Sequence, residues 1–104
     1  MKIKTKSRNH YNVYVILLSD DVSPRKNKSY PSIYVGMTGL SVKQRFQNHK
    51  NGIKSSKWVK RYGSKLLPYL YDGLENLSYY EALFKEKTLA EKLNKIGYTV
   101  YGGH

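Results

Sequence analysis

The chain has 104 residues, of which 39% are hydrophobic, 25% charged and 13% aromatic, values that favour one folded domain over a disordered segment. It contains no cysteine, which excludes disulfides and thiolate metal sites and leaves His, Asp, Glu or backbone oxygen as metal ligands. Lys and Arg total 19 against 7 acidic residues, for a formal net charge of +12, and this self-repulsion makes a polyanion such as nucleic acid the first partner to consider.

Charge alone leaves other classes open, because ribosomal and membrane-surface proteins share this balance. The longest apolar run, residues 13–18, is far too short to cross a bilayer, and the first residues lack the apolar region of a signal peptide. We therefore expect a soluble, intracellular, cytoplasmic protein without a membrane partner. Its oligomeric state, monomer or dimer, stays open.

The first part of the chain predicts two strands joined by a long loop. Residues 1–11 are polar and basic, and form either an arm that contacts phosphate or a frayed end. Residues 12–18 are apolar on both alternating faces, which favours an inner strand. Strand character resumes over residues 32–35 and breaks at Gly36, whose freedom at positive φ suits a sharp turn. The loop between them, residues 19–31, is long for a compact domain, and such loops are more often functional than short ones.

Two helices and an edge strand are predicted next. A capping-box pattern at Ser41 precedes a helix over residues 42–51, and the basic residues 54–61 predict a short second helix. Pro68, which has no N–H to donate, restricts the strand predicted over residues 66–71 to a sheet edge.

The last part of the chain predicts its longest helix and a final strand. Ser78 with Glu81 forms a second capping box, and the helix runs from there to about Asn94, with Gly97 as its stop. Residues 98–101 predict a short strand. The order of elements implies an α+β fold with a small sheet.

Glu86 is the most informative position, because it lies on the face of the longest helix that should pack. At about 100° per residue it falls near the centre of an apolar stripe. That stripe consists of Ala82, Leu83, Leu89, Ala90 and Leu93. A carboxylate there loses favourable hydration unless a cation or strong donors replace the water. The alternatives are a metal ion facing a cleft, a buried salt bridge to Lys or Arg, and a cleft-edge Glu beside water.

The other acidic residues need no special function. Glu81 belongs to the helix cap, and Glu91 lies roughly opposite the apolar stripe, consistent with a solvated face. The rest fall in predicted loops. A site of many carboxylates around two metals is therefore not expected, and one hard ion held by one Glu, water and substrate phosphate fits better.

Four further side chains suit phosphate chemistry. Arg45 and His49 are four residues apart on the first helix and form a cationic pair, in which Arg offers a planar fork of donors and His donates or exchanges a proton. The alternative is packing, because a His on an apolar stripe is commonly a core residue. Tyr14 and Tyr34 lie on the predicted inner strands, where dense positive charge would favour the phenolate and allow a general base despite an ordinary pKa of about 10.

Together these features resemble the GIY-YIG nucleases, and the similarity runs from about residue 12 to residue 103. NVY at residues 12–14 stands where the family has Gly-Ile-Tyr, and YVG at residues 34–36 stands for Tyr-Ile-Gly. The Arg-x-x-x-His pair, the helix segment ALFKE at residues 82–86 and the final glycines follow in the family's order. The resemblance implies one nuclease domain over residues 1–104, with a GIY-YIG-like α+β fold whose small, three-stranded, mainly antiparallel sheet is flanked by helices.

The resemblance also implies an activity and roles for these residues. It implies a DNA endonuclease that hydrolyses phosphodiester bonds with Mg²⁺ or Mn²⁺ and without a small-molecule cofactor. Tyr14, helped by Tyr34, is the expected general base toward the attacking water. Arg45 and His49 hold and neutralise the scissile phosphate. Glu86 is the sole protein side chain on the metal, which stabilises the leaving 3′ oxygen.

Substrate contacts are expected from the small residues after the second tripeptide and from the basic residues. These are Gly36, Thr38, Lys43, Lys50, Lys54, Lys57, Lys60 and Arg61. The loop over residues 19–31 is longer than in many family members and is a candidate DNA contact. Two departures, Met37 where some members have Lys and Thr99 where the family usually has Asn, support an alternative: a catalytically inactive, basic nucleic-acid-binding module of the same fold.

We predict that DNA binding weakens with added salt. If about five of the basic side chains contact phosphates, the affinity falls with a log–log slope of roughly −4 to −5, because each neutralised phosphate releases counterions. Fluorescence anisotropy titrations of a labelled duplex at several KCl concentrations give the slope. A slope near zero would show that basic charge does not drive binding.

Overall fold

The computed structural model describes residues 9–103, so most of the predicted basic arm, residues 1–11, lies outside the described part of the chain. The helices and strands, in chain order, are β1 (Asn12–Leu18), β2 (Ser32–Thr38), α1 (Val42–Lys50), α2 (Lys57–Tyr62), β3 (Gly63–Leu66), α3 (Tyr79–Ile96) and β4 (Thr99–Gly102). Within the described residues, no helix is both long and apolar enough to cross a membrane.

The sheet has four strands in the order β3-β1-β2-β4. β1 runs antiparallel to both β2 and β3, whereas β2 and β4 are parallel. The prediction of an α+β fold is confirmed, but the expected three-stranded sheet is wrong, because β4 adds a fourth strand beside β2. A parallel neighbour needs a crossover rather than a hairpin, and the segment from α1 to α3 provides it.

β1 is covered on both faces, as its apolar sequence predicts. Alternate side chains of a strand point to opposite sides, and two separate clusters result. Val13 and Val15 belong to the cluster that contains the buried residues of α3. Tyr14 and Ile16 belong to the other, together with Val59 of α2. The centre of the sheet therefore carries one core on each face, and the Tyr14 phenol is enclosed in the core that contains α2.

Two predicted boundaries in the middle of the chain are wrong. The strand predicted over residues 66–71 ends at Leu66, and Pro68 instead opens a one-turn 3₁₀ helix. The ring of proline fixes φ near the helical value and removes an N–H that the first turn leaves unpaired in any case. The helix predicted over residues 54–61 begins only at Lys57, where Ser56 caps it.

α3 begins and ends as predicted from its caps. Ser78 Oγ accepts the N–H of Glu81, and the Glu81 carboxylate accepts the N–H of Ser78. Gly97 ends the helix with a φ of 137°, a conformation that side chains disfavour. Glu91 is exposed, as predicted.

The packed stripe of α3 is narrower than predicted. Its buried members are Ala82, Glu86, Ala90 and Leu93, all within about 40° of Glu86 on the helical wheel. The two other predicted members lie about 60° to either side. Of these, Leu89 is half-buried and Leu83 is 39% exposed. The assignment of Leu83 to the packed face is therefore wrong.

Two leucines on this helix form a matched pair for a stability test. Leu93 is 3% exposed and Leu83 is 39% exposed. Leu93→Ala leaves a cavity in the core and should lower the free energy of unfolding by about 2–5 kcal/mol, whereas Leu83→Ala should change it by less than about 0.5 kcal/mol. Urea denaturation followed by circular dichroism measures both. Equal losses in the two variants would contradict the placement of α3.

Candidate active site

Five side chains expected to act together come from four different elements. Tyr14 is on β1, Tyr34 on β2, Arg45 and His49 on α1, and Glu86 on α3. The Tyr14 ring lies 6.4 Å from the Tyr34 ring and 6.1 Å from the His49 ring, centroid to centroid. The charges of Arg45 and Glu86 both act on the phenols of Tyr14 and Tyr34. The structure thus brings all five together.

His49 lies at the centre of this cluster and is fully buried. Its Nε2 is 2.9 Å from Tyr14 Oη, and its Nδ1 accepts the backbone N–H of Ser56 at 3.0 Å. Burial, with a smaller contribution from the Arg45 charge, lowers the pKa of His49 to about 4. The imidazole is therefore neutral at pH 7, and the expected cationic Arg–His pair is wrong because water is excluded from the ring.

The two phenols are protonated in the chain by itself. Burial raises the pKa of Tyr14 above its ordinary value and outweighs the opposing effect of Arg45. Burial also raises the pKa of Tyr34, although the Ser56 side chain opposes the shift. The expectation that nearby positive charge favours the phenolate is therefore wrong for the chain without ligands.

Gly36 makes room for Tyr14 rather than forming a turn. β2 continues through Gly36 to Thr38, so the predicted break at this glycine is wrong. A Cβ at position 36 would lie 2.6 Å from Oη and 2.7 Å from Cζ of Tyr14. Any side chain here would displace the buried phenol. Thr38 is also buried, and its hydroxyl accepts the N–H of Leu40 where the chain leaves the sheet.

Arg45 has a structural task besides its contact with Tyr14. Its two Nη atoms donate to the carbonyl oxygens of Ile53 and Lys54, at 3.3 and 2.8 Å. Lys54 has a positive φ of 46°, and these bonds hold the turn in that conformation. Because a guanidinium has five N–H donors, Arg45 keeps donors for a ligand while it fixes the turn between α1 and α2.

Glu86 offers a carboxylate with little access to water. It is 8% exposed and lies between Ala82 and Ala90 on α3. Among residues 9–103, no group of three His, Asp or Glu side chains lies close enough to hold a metal ion. The donor set therefore fits a hard divalent ion only where water and ligand oxygens complete its coordination.

The basic residues expected to contact phosphate differ in their exposure and in the hydrogen bonds that they already make. Those with exposed side chains are Lys43, Lys54, Lys57, Lys60 and Arg61. Lys57 Nζ lies 4.9 Å from the centre of the Trp58 ring. Lys50 is half-buried, and its ammonium donates to the carbonyl oxygen of Gly63 at 2.7 Å. A phosphate contact by Lys50 would compete with this bond at the end of α2.

The long loop after β1 is fastened to the last two elements of the chain. The N–H of Lys26 donates to Thr99 Oγ1 at 2.9 Å, and the Lys26 ammonium reaches Asn94 Oδ1 at 2.7 Å. The hydroxyl groups of Ser23 and Tyr101 also form a hydrogen bond with each other. Thr99, one of the two departures from the family pattern, therefore holds this loop in place.

Ser56 is a site residue that the sequence pattern did not reveal. Its backbone N–H donates to His49 Nδ1, and it precedes α2 as the N-cap. The cap itself is a readable signal, since Ser is a preferred N-cap residue. The bond to His49 is not readable, because it depends on how α1 packs against the turn before α2.

Comparisons of the chain with models of known protein families, with curated proteins and with solved structures found no match.

The neutral state of His49 predicts a pH dependence of stability. The folded-state pKa of about 4 lies below the ordinary value of 6.5, so the unfolded chain binds the proton more readily between these values. The stabilisation is complete above about pH 6.5 and is lost as the pH falls toward about 4, by about 3 kcal/mol in all. Urea denaturation at pH 7, 5.5 and 4.5 measures the loss.

His49→Gln is the control for this measurement, because Gln does not titrate in this range. It removes the imidazole contribution and leaves the contribution of the carboxylates. The wild-type chain should lose more stability on acidification than the variant. Parallel curves for the two proteins would show that His49 is not held neutral.

Proposed function

We propose that this chain is a metal-dependent DNA endonuclease of the GIY-YIG type that hydrolyses phosphodiester bonds. The observation that carries the proposal is the placement of Glu86, a buried carboxylate that acts on the phenols of Tyr14 and Tyr34. Helical periodicity and the family resemblance single out this residue independently. The net charge of +12 favours a polyanionic substrate.

In this proposal, Tyr14 receives the proton of the attacking water. It can do so only as a phenolate, which burial opposes and the Arg45 charge favours. His49 Nε2, at 2.9 Å from the phenol oxygen, stabilises that negative charge by donating its hydrogen. Glu86 would hold a divalent cation, Mg²⁺ or Mn²⁺, whose positive charge would lower the pKa of neighbouring groups and stabilise the leaving 3′ oxygen.

Arg45 and the exposed lysines hold the DNA backbone. Arg45 has further N–H donors besides those that bind the turn, and its charge acts on the Tyr14 phenol; a nonbridging phosphate oxygen would accept these donors. Three exposed basic residues of α2 add further positive charge for contacts with the DNA backbone. They are Lys57, Lys60 and Arg61. The negative charge that develops on the phosphate is stabilised by donors already in place, which is the largest part of catalysis at such sites.

The alternative is an inactive, basic nucleic-acid-binding module with the same fold. The hydrogen bond from Lys26 to Thr99 favours it. Thr99 stands where the family usually has Asn, and its hydroxyl here holds a loop in place. In that case the phenols and Glu86 form a structural polar cluster. DNA binding would persist, and cleavage would be absent at every metal concentration.

A plasmid-nicking assay with and without Mg²⁺ separates the two functions. The wild-type chain should nick supercoiled DNA only when Mg²⁺ is present. Glu86→Gln and Tyr14→Phe should each lower the rate by about 100-fold or more, because the first removes the proposed metal ligand and the second removes the proposed general base.

Matched controls are available on the same protein. Glu91→Gln changes an exposed carboxylate on α3, and Tyr80→Phe changes an exposed phenol; both should leave the rate unchanged. Nicking that is equal in all variants would reveal a contaminating nuclease. A wild-type chain that binds DNA without cutting it would favour the inactive module.

A further inference from the structure

The hydrogen bonds around His49 determine which of its nitrogens carries the proton. The backbone N–H of Ser56 points at Nδ1, with 3.0 Å between the two nitrogens. A nitrogen that accepts a hydrogen bond presents a lone pair and carries no hydrogen. A neutral imidazole has one N–H, so the hydrogen must lie on Nε2.

The same assignment gives a direction to the bond between His49 and Tyr14. Nε2–H donates, and Tyr14 Oη, 2.9 Å away, accepts. The phenol oxygen therefore accepts a hydrogen bond from His49 and keeps its own hydrogen for another partner.

Ser56 has a second task at the start of α2. Its hydroxyl oxygen accepts the N–H of Trp58 at 3.1 Å as the cap of this helix. One residue thus serves α2 through its hydroxyl and the His49 ring through its backbone N–H.

The position of Ser56 in the fold explains why its backbone N–H is available. As the N-cap of α2, Ser56 has extended dihedral angles, with φ −68° and ψ 134°, and the N–H of such a residue is not used by the helix that follows. The turn before it is held by the bonds from Arg45 to Ile53 and Lys54. The N–H is therefore aimed at His49 by a fixed piece of backbone.

We propose that Ser56 is a positioning residue whose backbone N–H holds His49 in the Nε2–H form, so that the Tyr14 phenol oxygen accepts a hydrogen bond from His49 and the phenol hydrogen is left for the ligand. The tautomer follows from this geometry alone. Its importance for cleavage rests on the proposed nuclease function. A role confined to capping α2 would leave the His49 tautomer independent of Ser56.

Two substitutions of Ser56 separate the N–H from the cap. Ser56→Pro removes the N–H, and the φ of −68° already matches the value that proline imposes, about −65°. Ser56→Ala keeps the N–H. Both variants lose the hydroxyl that caps α2, so they should lose similar stability. Only Ser56→Pro should change the tautomer.

Long-range ¹H–¹⁵N correlation spectra of the ¹⁵N-labelled chain at pH 7 report the tautomer, and His49→Gln assigns the signals. We expect Nε2–H in the wild type and in Ser56→Ala, and a population of Nδ1–H at least tenfold higher in Ser56→Pro. The proposal is overturned by Nδ1–H in the wild type, or by identical tautomers in the two Ser56 variants.

The wild-type chain alone can decide the matter if Ser56→Pro does not fold. A scalar coupling between the Ser56 amide nitrogen and His49 Nδ1 detects the hydrogen bond directly, and its absence would overturn the proposal. These spectra need neither metal nor DNA, so their result stands even if the wild type fails to nick DNA. Where nicking occurs, Ser56→Pro should lower its rate at least tenfold more than Ser56→Ala.

Discussion

The buried hydrogen bond between Tyr14 and His49 is the constraint on which the site depends. A polar pair without access to water is stable only when its remaining donors and acceptors also find partners. Ser56 meets this need at the far side of the imidazole. Gly36 leaves the space that the phenol oxygen occupies. The Tyr14–His49 pair thus requires a hydrogen-bond donor from the turn between α1 and α2 and a glycine in the middle of β2.

Local geometry explains what the sequence could predict. Glu86 and the capping box at Ser78 were readable because a helix repeats at a known angle and its first turn has known needs. The inner position of β1 was readable because its apolar residues do not alternate. Each of these inferences uses only residues that belong to a single helix or strand and lie close together in the chain.

The remaining features depend on residues far apart in the chain. Gly36 looks like a turn residue until Tyr14 is placed against it, and the place of β4 beside β2 follows from a crossover that no local pattern encodes. The charge states were mispredicted for the same reason. Arg45 and His49 were expected to form a cationic pair from their spacing on one helix, but the ring is enclosed by β1, α1 and the Ser56 turn, and burial together with the Arg45 charge keeps it neutral.

The ends of the sheet have a further consequence for how copies of this chain meet. The two outer strands, β3 and β4, have four residues each, and an unpaired strand edge is a template for intermolecular β-sheet growth. β3 carries Lys65 at its outer edge, and the glycine at the end of β4 has a φ of 75° that bends the backbone away. Short, charged and bent edges offer little length for a foreign strand, and so protect the fold against amyloid-like stacking.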